Sequence, residues 1–431
     1  MNPEILGLCG IALLLVLLFA GMWVGLAMAF IGLLGIFLIQ GFYPAATIAS
    51  IVPFQNVAYY AISPIPMFLL MGILVFRSGI GADMYTVAYK WIGHFRGGLA
   101  MATVIAGALL ASVTGHSGAA VVALSKMALP EMRKHGYSDV LASGCTAVVG
   151  TLAFLIPPSL AFIIYAILTE QSVGLLFMAG ILPGILLAVL FLITVVIITA
   201  LNPQAGPAGP KFSFKEKLIS LKVVWPTLLI FLIVLGGIYL GVFTPTEAGA
   251  VGCFGAAVIA FSMRRLTLKA FYLSLFEAAG TSAMMILLMI GAYFFIKFIA
   301  LSKLAFAVSA FVSGLTIPPM AVIVVIIFIY ILLGMFLDIF GAVMLTIPVF
   351  YPIVVGLGFD PIWFGVLIVV IIEMGLVTPP IGFDVFMLSG ASGIPITTIF
   401  RGVTPFVVAI LVCIVLIVIF PEIALLIPNT M

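Results

Sequence analysis

Two stretches of the chain place adjacent prolines inside apolar runs, GTLAFLIPPS at 150–159 and EMGLVTPPIG at 373–382. Each proline lacks a backbone N–H and clashes with the carbonyl four residues back, which costs roughly 3 kcal/mol in a helix interior. In hydrocarbon no water takes up the released groups. Any fold open to this chain must therefore bury both breaks in protein and give the freed backbone something to hold. Pro157 and Pro158 leave the carbonyls of Ala153 and Phe154 without their helical donors, and Pro379 and Pro380 do the same for Gly375 and Leu376.

The two breaks belong to an internal repeat. At an offset of 222 residues Pro130 meets Pro352, and Gly136-Tyr137 meets Gly358-Phe359. In the same register Pro157-Pro158 meets Pro379-Pro380, Gly180 meets Gly402 and Pro183 meets Pro405. Met101-Ala102 meets Met320-Ala321 at 219, a slight drift. With 43 glycines and 25 prolines in 431 residues, so many matches in one gap-free register point to duplication.

The chain is 65% hydrophobic and 7% charged, with mean hydropathy +1.47, and its apolar runs have the length of membrane helices, about 17–25 residues. These values predict a polytopic all-α membrane protein and exclude a water-soluble fold, an outer-membrane barrel and, at a net charge of +3, a nucleic-acid partner. The start, MNPEILGLCG, lacks a basic region ahead of its apolar run and reads as a first transmembrane helix. Cys9, Cys145, Cys253 and Cys413 lie in apolar segments without C-x-x-C spacing and read as packing residues.

The spacing predicts spans at about 4–22, 23–40 and 64–79, a polar-flanked stretch at 80–96, a short pair within about 97–134, a broken helix at 138–169 and a span at 172–200. A cytoplasmic linker at 201–222 follows. The series then repeats over 223–241, 246–263 and 281–299, with a short pair within about 318–356, a broken helix at 361–390 and a span at 396–421. If each short pair is a hairpin entering and leaving on one side, each half has an odd number of crossings. The halves 1–200 and 223–431 are then inverted repeats. With the N-terminus outside, only Lys297 and Lys303 of the 16 basic residues fall outside, leaving 14 inside, as the positive-inside rule requires.

A duplicated unit with a broken helix in each copy predicts a secondary transporter, with the breaks facing each other near the midplane. The hairpin turns, ASVTGHSGAA at 111–120 and LLGMFLDIFGAV at 332–343, have the small residues needed to pack irregular backbone against protein. Each tip should approach the break in its own half. That makes one oxygen cage from Thr114, Ser117 and carbonyls, and another from Gly334, Gly375 and Thr378.

The run LPEMRKHGYSD…GTLAFLIPPSLAFIIYAILTEQSVGLLFMAGILPG, with MGLVTPPIGFDVF in the second half, resembles the large membrane subunit of tripartite ATP-independent periplasmic (TRAP) transporters over nearly the whole chain. The resemblance implies an elevator mechanism driven by inward Na⁺. It also implies a periplasmic substrate-binding protein that delivers a small organic anion, a separate small membrane subunit of about four helices, and residence in a bacterial inner membrane; the positive charges add that both termini are periplasmic. Carried over position by position, one Na⁺ site uses Thr114, Gly115 and Ser117 with backbone at Ala153, Ile156 and Pro157. The other uses Gly334, Gly375, Thr378 and Ile381. This chain departs from the family's pattern at three places. Its first tip reads T-G-H-S where S-G-S-S is usual, which puts His116 in the site; Ala153 stands where glycine is frequent; and Asp384 stands where a neutral Asn is common.

Asp338, Glu373 and Asp384 are acids within apolar segments, and an intramembrane carboxylate is read as functional by default. With His116 and Ser159 they are the candidates for substrate binding or coupling. Apart from Lys297, no lysine or arginine falls clearly at mid-depth, so an anionic substrate depends on half-helix N-termini and hydroxyls such as Ser159, or on an arginine that lies deeper than the spacing places it. Two rival readings draw on the same residues. Gly115-His116-Ser117-Gly118 resembles the G-x-S-G motif of rhomboid intramembrane serine proteases, but the other histidines, His94 and His135, fall at the predicted cytoplasmic surface. A stand-alone Na⁺- or H⁺-coupled anion carrier of the same architecture is the second rival. An ATP-driven pump is disfavoured because the chain has no G-x-x-x-x-G-K-[ST] loop.

Overall fold

The structure, a computed structural model, describes all residues except Met1, His116, Leu315 and Thr316, and describes Ser112, Val113, Thr114, Ala119, Thr227 and Ser313 by their backbone alone. It is all-α. The first half runs α1 (Pro3–Phe19), α2 (Val24–Gln40), α3 (Phe42–Val57), α4 (Pro64–Arg77), α5 (Ile80–Ile92), α6 (Gly98–Thr114), α7 (Ser117–Lys134), α8 (Asp139–Leu155), α9 (Leu160–Thr169) and α10 (Val173–Leu201). The second runs α11 (Phe214–Tyr239), α12 (Pro245–Ser262), α13 (Leu268–Ser302), α14 (Leu304–Ser313), α15 (Pro319–Gly334), α16 (Ile339–Gly356), α17 (Pro361–Val377), α18 (Phe383–Ser392), α19 (Ile396–Ile419) and the short α20 (Glu422–Leu425). Among the described residues, seven helical stretches are long and apolar enough to cross a membrane, or eight if the pair bent by 49° between Pro226 and Leu228 is one span.

Three helical segments were not legible as such. α3 carries Pro44, Pro53, Gln55 and Asn56, which dilute its hydropathy, yet Asn56 closes its own turn by donating to the Val52 carbonyl at 2.8 Å. α13 begins 13 residues before the predicted 281, where Thr267 caps it by accepting from the Ala270 N–H at 3.1 Å. α14 lies in the polar-flanked gap after Lys303, a residue with φ +56° that turns the chain between α13 and α14. The helix that follows α10 starts within 201–222. Ser213 and Glu216 form a reciprocal capping box that starts α11 at Phe214. The Ser213 hydroxyl and N–H hold the exposed Glu216 carboxyl below its ordinary pKa.

The repeat is visible element by element. α8 and α17 are 17 residues each and lie 222 apart at both ends, as do the 18-residue α7 and α16. The 10-residue α9 and α18 follow one residue out of that register. Packing is reciprocal as well. α7 packs on α18 and α16 on α9; α8 packs on α19 and α17 on α10; α2 packs on α13 and α12 on α4. Each half thus packs its helices on the counterparts of the other half's partners.

α8 and α17 form the centre. Every residue from Leu141 to Leu155 and from Ile362 to Val377 is buried, as expected of helices that are apolar all round. Their partners approach closely where side chains are missing. A methyl group on Gly402 of α19 would lie 2.0 Å from the Val140 carbonyl oxygen and 2.9 Å from the Gly144 Cα of α8. Neither contact is the end of a flexible side chain, so Gly402→Ala must part the helices. We expect a loss of about 1–3 kcal/mol, read as a lower unfolding midpoint of the purified protein in detergent. An unchanged midpoint would contradict the close crossing.

The basic segments gather at one end. Gly97 N–H donates to the Gly206 carbonyl, Gly209 N–H to Gly93 and Ser138 N–H to Ala205, which straps the linker across the starts of α6 and α8. Arg77 pairs with Glu277 at 2.6 Å, and Arg265 pairs with Asp83, which ties the α4–α5 corner to the start of α13.

Candidate substrate and cation site

Each hairpin tip meets a break. α6 ends at Gly115, whose φ of +60° favours glycine, and a methyl there would be 3.0 Å from the Pro158 carbonyl oxygen. The first tip therefore rests on the first break. The side chain of Thr114 and the whole of His116 lie outside the described residues. In the second half α15 ends at Gly334, and Gly375 of α17 faces it so closely that a methyl on Gly375 would be 2.4 Å from the Gly334 carbonyl carbon. Asp338 closes this tip by capping α16, accepting from the Gly341 N–H at 3.3 Å.

The breaks themselves are built alike. α8 stops at Leu155, Ile156 is extended, and Ser159 caps α9 by accepting from the Phe162 N–H at 3.4 Å. α17 stops at Val377, and Gly382, with φ +63°, opens α18. The bond between the two prolines is cis in both halves.

Two of the four carbonyls expected to lack donors do have them. The Ser159 hydroxyl donates to the Phe154 carbonyl. The Gly375 carbonyl accepts from the Thr378 N–H at 3.2 Å and from the Thr378 hydroxyl at 3.2 Å, and that hydroxyl also reaches the Met374 carbonyl at 3.0 Å. Each hydroxyl sits close enough in sequence to replace a missing helical donor. The carbonyls of Ala153 and Leu376 have no backbone donor at the usual position, because residues 157 and 380 are prolines.

The first tip also reaches across to the second break. The Ser117 hydroxyl donates to Asp384 Oδ1 at 3.0 Å. Asp384 and Glu373 are both fully buried, and the Asp384 carboxyl is close enough to act on Glu373. Asp384 Oδ2 and both Glu373 oxygens have no hydrogen-bond partner among the described residues. Ser117, Glu373 and Asp384 are thus brought together from both halves, whereas Ser159 stays with its own break. Asp338 stands apart at the second tip, on a cavity of about 380 Å³.

That cavity opens where the tips and breaks meet the surrounding helices. Ser117, Phe154, Asp338, Leu376 and Phe383 form one wall. Trp23, Thr281, Met284, Met285 and Leu288, from the start of α2 and from α13, form the other. Sequence reasoning missed this second wall because its residues carry no signal beyond ordinary membrane-helix composition. Ile381 faces a smaller apolar pocket beside Leu15, Leu18 and Phe19.

The pattern of the family described as "Tripartite ATP-independent periplasmic transporter, DctM component" matches residues 11–423. The chain belongs to this family. It is 34% identical to the C4-dicarboxylate TRAP transporter large permease protein DctM of Pseudomonas aeruginosa, over 87% of this chain and 88% of that one. It is 30% identical to the sialic acid TRAP transporter large permease protein SiaM of Vibrio cholerae, over 96% of each. Among solved structures the Alcanivorax borkumensis YdaH transporter superposes with a TM-score of 0.66 over 98% of both chains. At 14% identity that likeness speaks for the fold alone. As a large TRAP permease the chain is a multi-pass membrane transport component and not an enzyme, so Ser117 is not a protease nucleophile.

Proposed function

We propose that this permease imports a small organic anion, delivered by a periplasmic binding protein, by coupling it to inward Na⁺ in an elevator movement. The observation that carries the reading is the meeting of each glycine-ended tip with a doubled-proline break. In a membrane, irregular backbone at such depth persists only where it lines a site. The reciprocal packing of the halves supports inverted repeats, 1–200 and 223–431 with the linker between them. The hairpins and broken helices (α6–α9 and α15–α18) then form the moving body, and α2, α4, α12 and α13 belong to the fixed frame. The cavity between the body and the frame is where cargo would ride. The permease sits in a bacterial inner membrane with periplasmic termini and works with a separate small membrane subunit of about four helices.

Two Na⁺ ions are the coupling cargo. In the first cage Thr114, Gly115 and Ser117 join backbone at Ala153, Ile156 and Pro157; in the second, Gly334, Gly375, Thr378 and Ile381 take part. The hydroxyls suit the role. Ser117 donates its proton to Asp384 and Thr378 donates its own to backbone carbonyls, so the lone pairs of both oxygens remain for a hard cation. Glu373 and Asp384 add negative charge beside the first cage, and a cation arriving there supplies the counter-charge that their unpartnered oxygens lack. Replacing Ser117 or Thr378 by Ala is expected to raise the Na⁺ concentration for half-maximal uptake about tenfold, the loss of roughly one ligand's 1.4 kcal/mol. Identical Na⁺ titrations of uptake in both variants and the unmodified permease would remove the cages from the account.

A further inference from the structure

The same cavity constrains which acid it can hold. It has a size ordinary for small-ligand sites, and its charged and polar lining is short. Ser117, Thr281 and Asp338 are the polar side chains on it, and no lysine, arginine or histidine lines it among the described residues. Twelve of its fifteen lining residues are apolar, with the rings of Trp23, Phe154, Phe336, Phe340 and Phe383 prominent among them. Phe340 meets Phe154 edge-on at 5.6 Å and Phe336 meets Phe19 edge-on at 5.1 Å, so part of this aromatic surface is held in place.

A substrate carboxylate therefore has one polar quarter to occupy. It is the quarter of Ser117, where α7 begins, where the Phe383 end of α18 approaches, and where the proposed Na⁺ would lie. The opposite tip presents Asp338, an acceptor already engaged in capping the start of α16. A second carboxylate on the substrate would have to lie against Asp338 or against the α13 wall, where Thr281 offers a single hydroxyl beside Met284, Met285 and Leu288. The first sets two carboxyl groups face to face, and the second buries an ion with one neutral hydroxyl and no counter-charge, which costs several kcal/mol. An apolar body placed against those same side chains is instead favoured, by about 25 cal/mol for each Å² removed from water.

We infer that the cavity selects a monocarboxylate with a compact aromatic or branched apolar body and discriminates against dicarboxylates. This rests on the transport reading above, because it takes the cavity as the cargo site. It goes beyond that reading in fixing the class of acid.

The test uses the full-length permease purified with its small membrane subunit, and follows thermal stabilisation and tryptophan fluorescence with Trp23 on the cavity wall. Phenylacetate, succinate and phenylalanine serve as probes for an aromatic monocarboxylate, a dicarboxylate and a zwitterion of the same ring. In Na⁺ buffer phenylacetate is expected to bind at least tenfold more tightly than succinate and more tightly than phenylalanine. Phe383→Ala should weaken phenylacetate, and Leu288→Arg should narrow or reverse the preference over succinate by placing a base in the apolar wall. Succinate binding as well as phenylacetate in the unmodified protein overturns the inference. So does phenylalanine binding best, which would assign Asp338 to an ammonium group. Lack of stabilisation by any probe in Na⁺ also overturns it, and needs no variant to fold. Phenylacetate binding that is equal in Na⁺ and K⁺ leaves the class of acid intact and counts instead against the cation-coupled reading.

Discussion

Gly375→Ala is expected to abolish uptake, by well over tenfold, and to lower the unfolding midpoint. The added methyl would lie 2.4 Å from the carbonyl carbon of Gly334, 2.5 Å from its Cα and 2.7 Å from its oxygen. All three atoms are backbone, so relief requires moving the end of α15 or the end of α17. Either movement opens the tip away from the break, and the proposed second cage takes Gly334, Gly375 and Thr378 from these two places. Overpacking of a tight core alone costs typically 1–3 kcal/mol; here it also displaces ligands. The control is built into the repeat. Ala153 is the residue 222 positions earlier, fully buried at the first break, and Ala153→Gly should retain most uptake, losing only the roughly 0.5–1 kcal/mol that a glycine costs within a helix. Full uptake by Gly375→Ala, measured in proteoliposomes with the cognate partners, would mean that the second tip does not bear on the break as described.

Asp384→Asn should separate stability from coupling. The asparagine oxygen can still accept from Ser117, so the bond between the first tip and the second break is kept. What disappears is a buried acid with one oxygen unpartnered, close to a second buried carboxyl group. Removing it ends the cost of burying an ionisable group whose second oxygen has no partner. The unfolding midpoint in Na⁺-free buffer is therefore expected to hold or rise. Sodium affinity should fall. A unit charge about 5 Å from a cation at an effective dielectric constant near 20 contributes about 3 kcal/mol, so the half-saturating Na⁺ concentration should rise tenfold or more. A variant that loses stability while keeping its Na⁺ titration would reassign Asp384 to a structural role.

The architecture was largely legible because its punctuation is chemical. Prolines and glycines must stand where the backbone departs from a helix, so the 222-residue register carried both breaks, both tips and the boundaries of α7, α8, α16 and α17. Helices that owe their existence to packing were not legible. α3 and α14 contain prolines, polar residues or too few apolar ones to stand out, and each is held against α2 or α16 by tertiary contact. The candidate site divides along the same line. Tip and break residues announce themselves through glycine and proline, and buried acids through their rarity in apolar runs. The bond from Ser117 to Asp384 joins residues 267 apart in sequence, in opposite halves, and no local pattern encodes it. The frame side of the cavity is equally silent, since Met284, Met285 and Leu288 look like any membrane helix until α13 is packed against the second tip.

The most direct test is a gradient experiment on the reconstituted complex of this permease, its small membrane subunit and its binding protein. With a carboxylate supplied on the binding-protein side, an inward Na⁺ gradient should drive accumulation above equilibrium, and collapsing that gradient with a Na⁺ ionophore should release it. Accumulation of the same size and rate after Na⁺ is replaced by K⁺ on both sides would contradict the account.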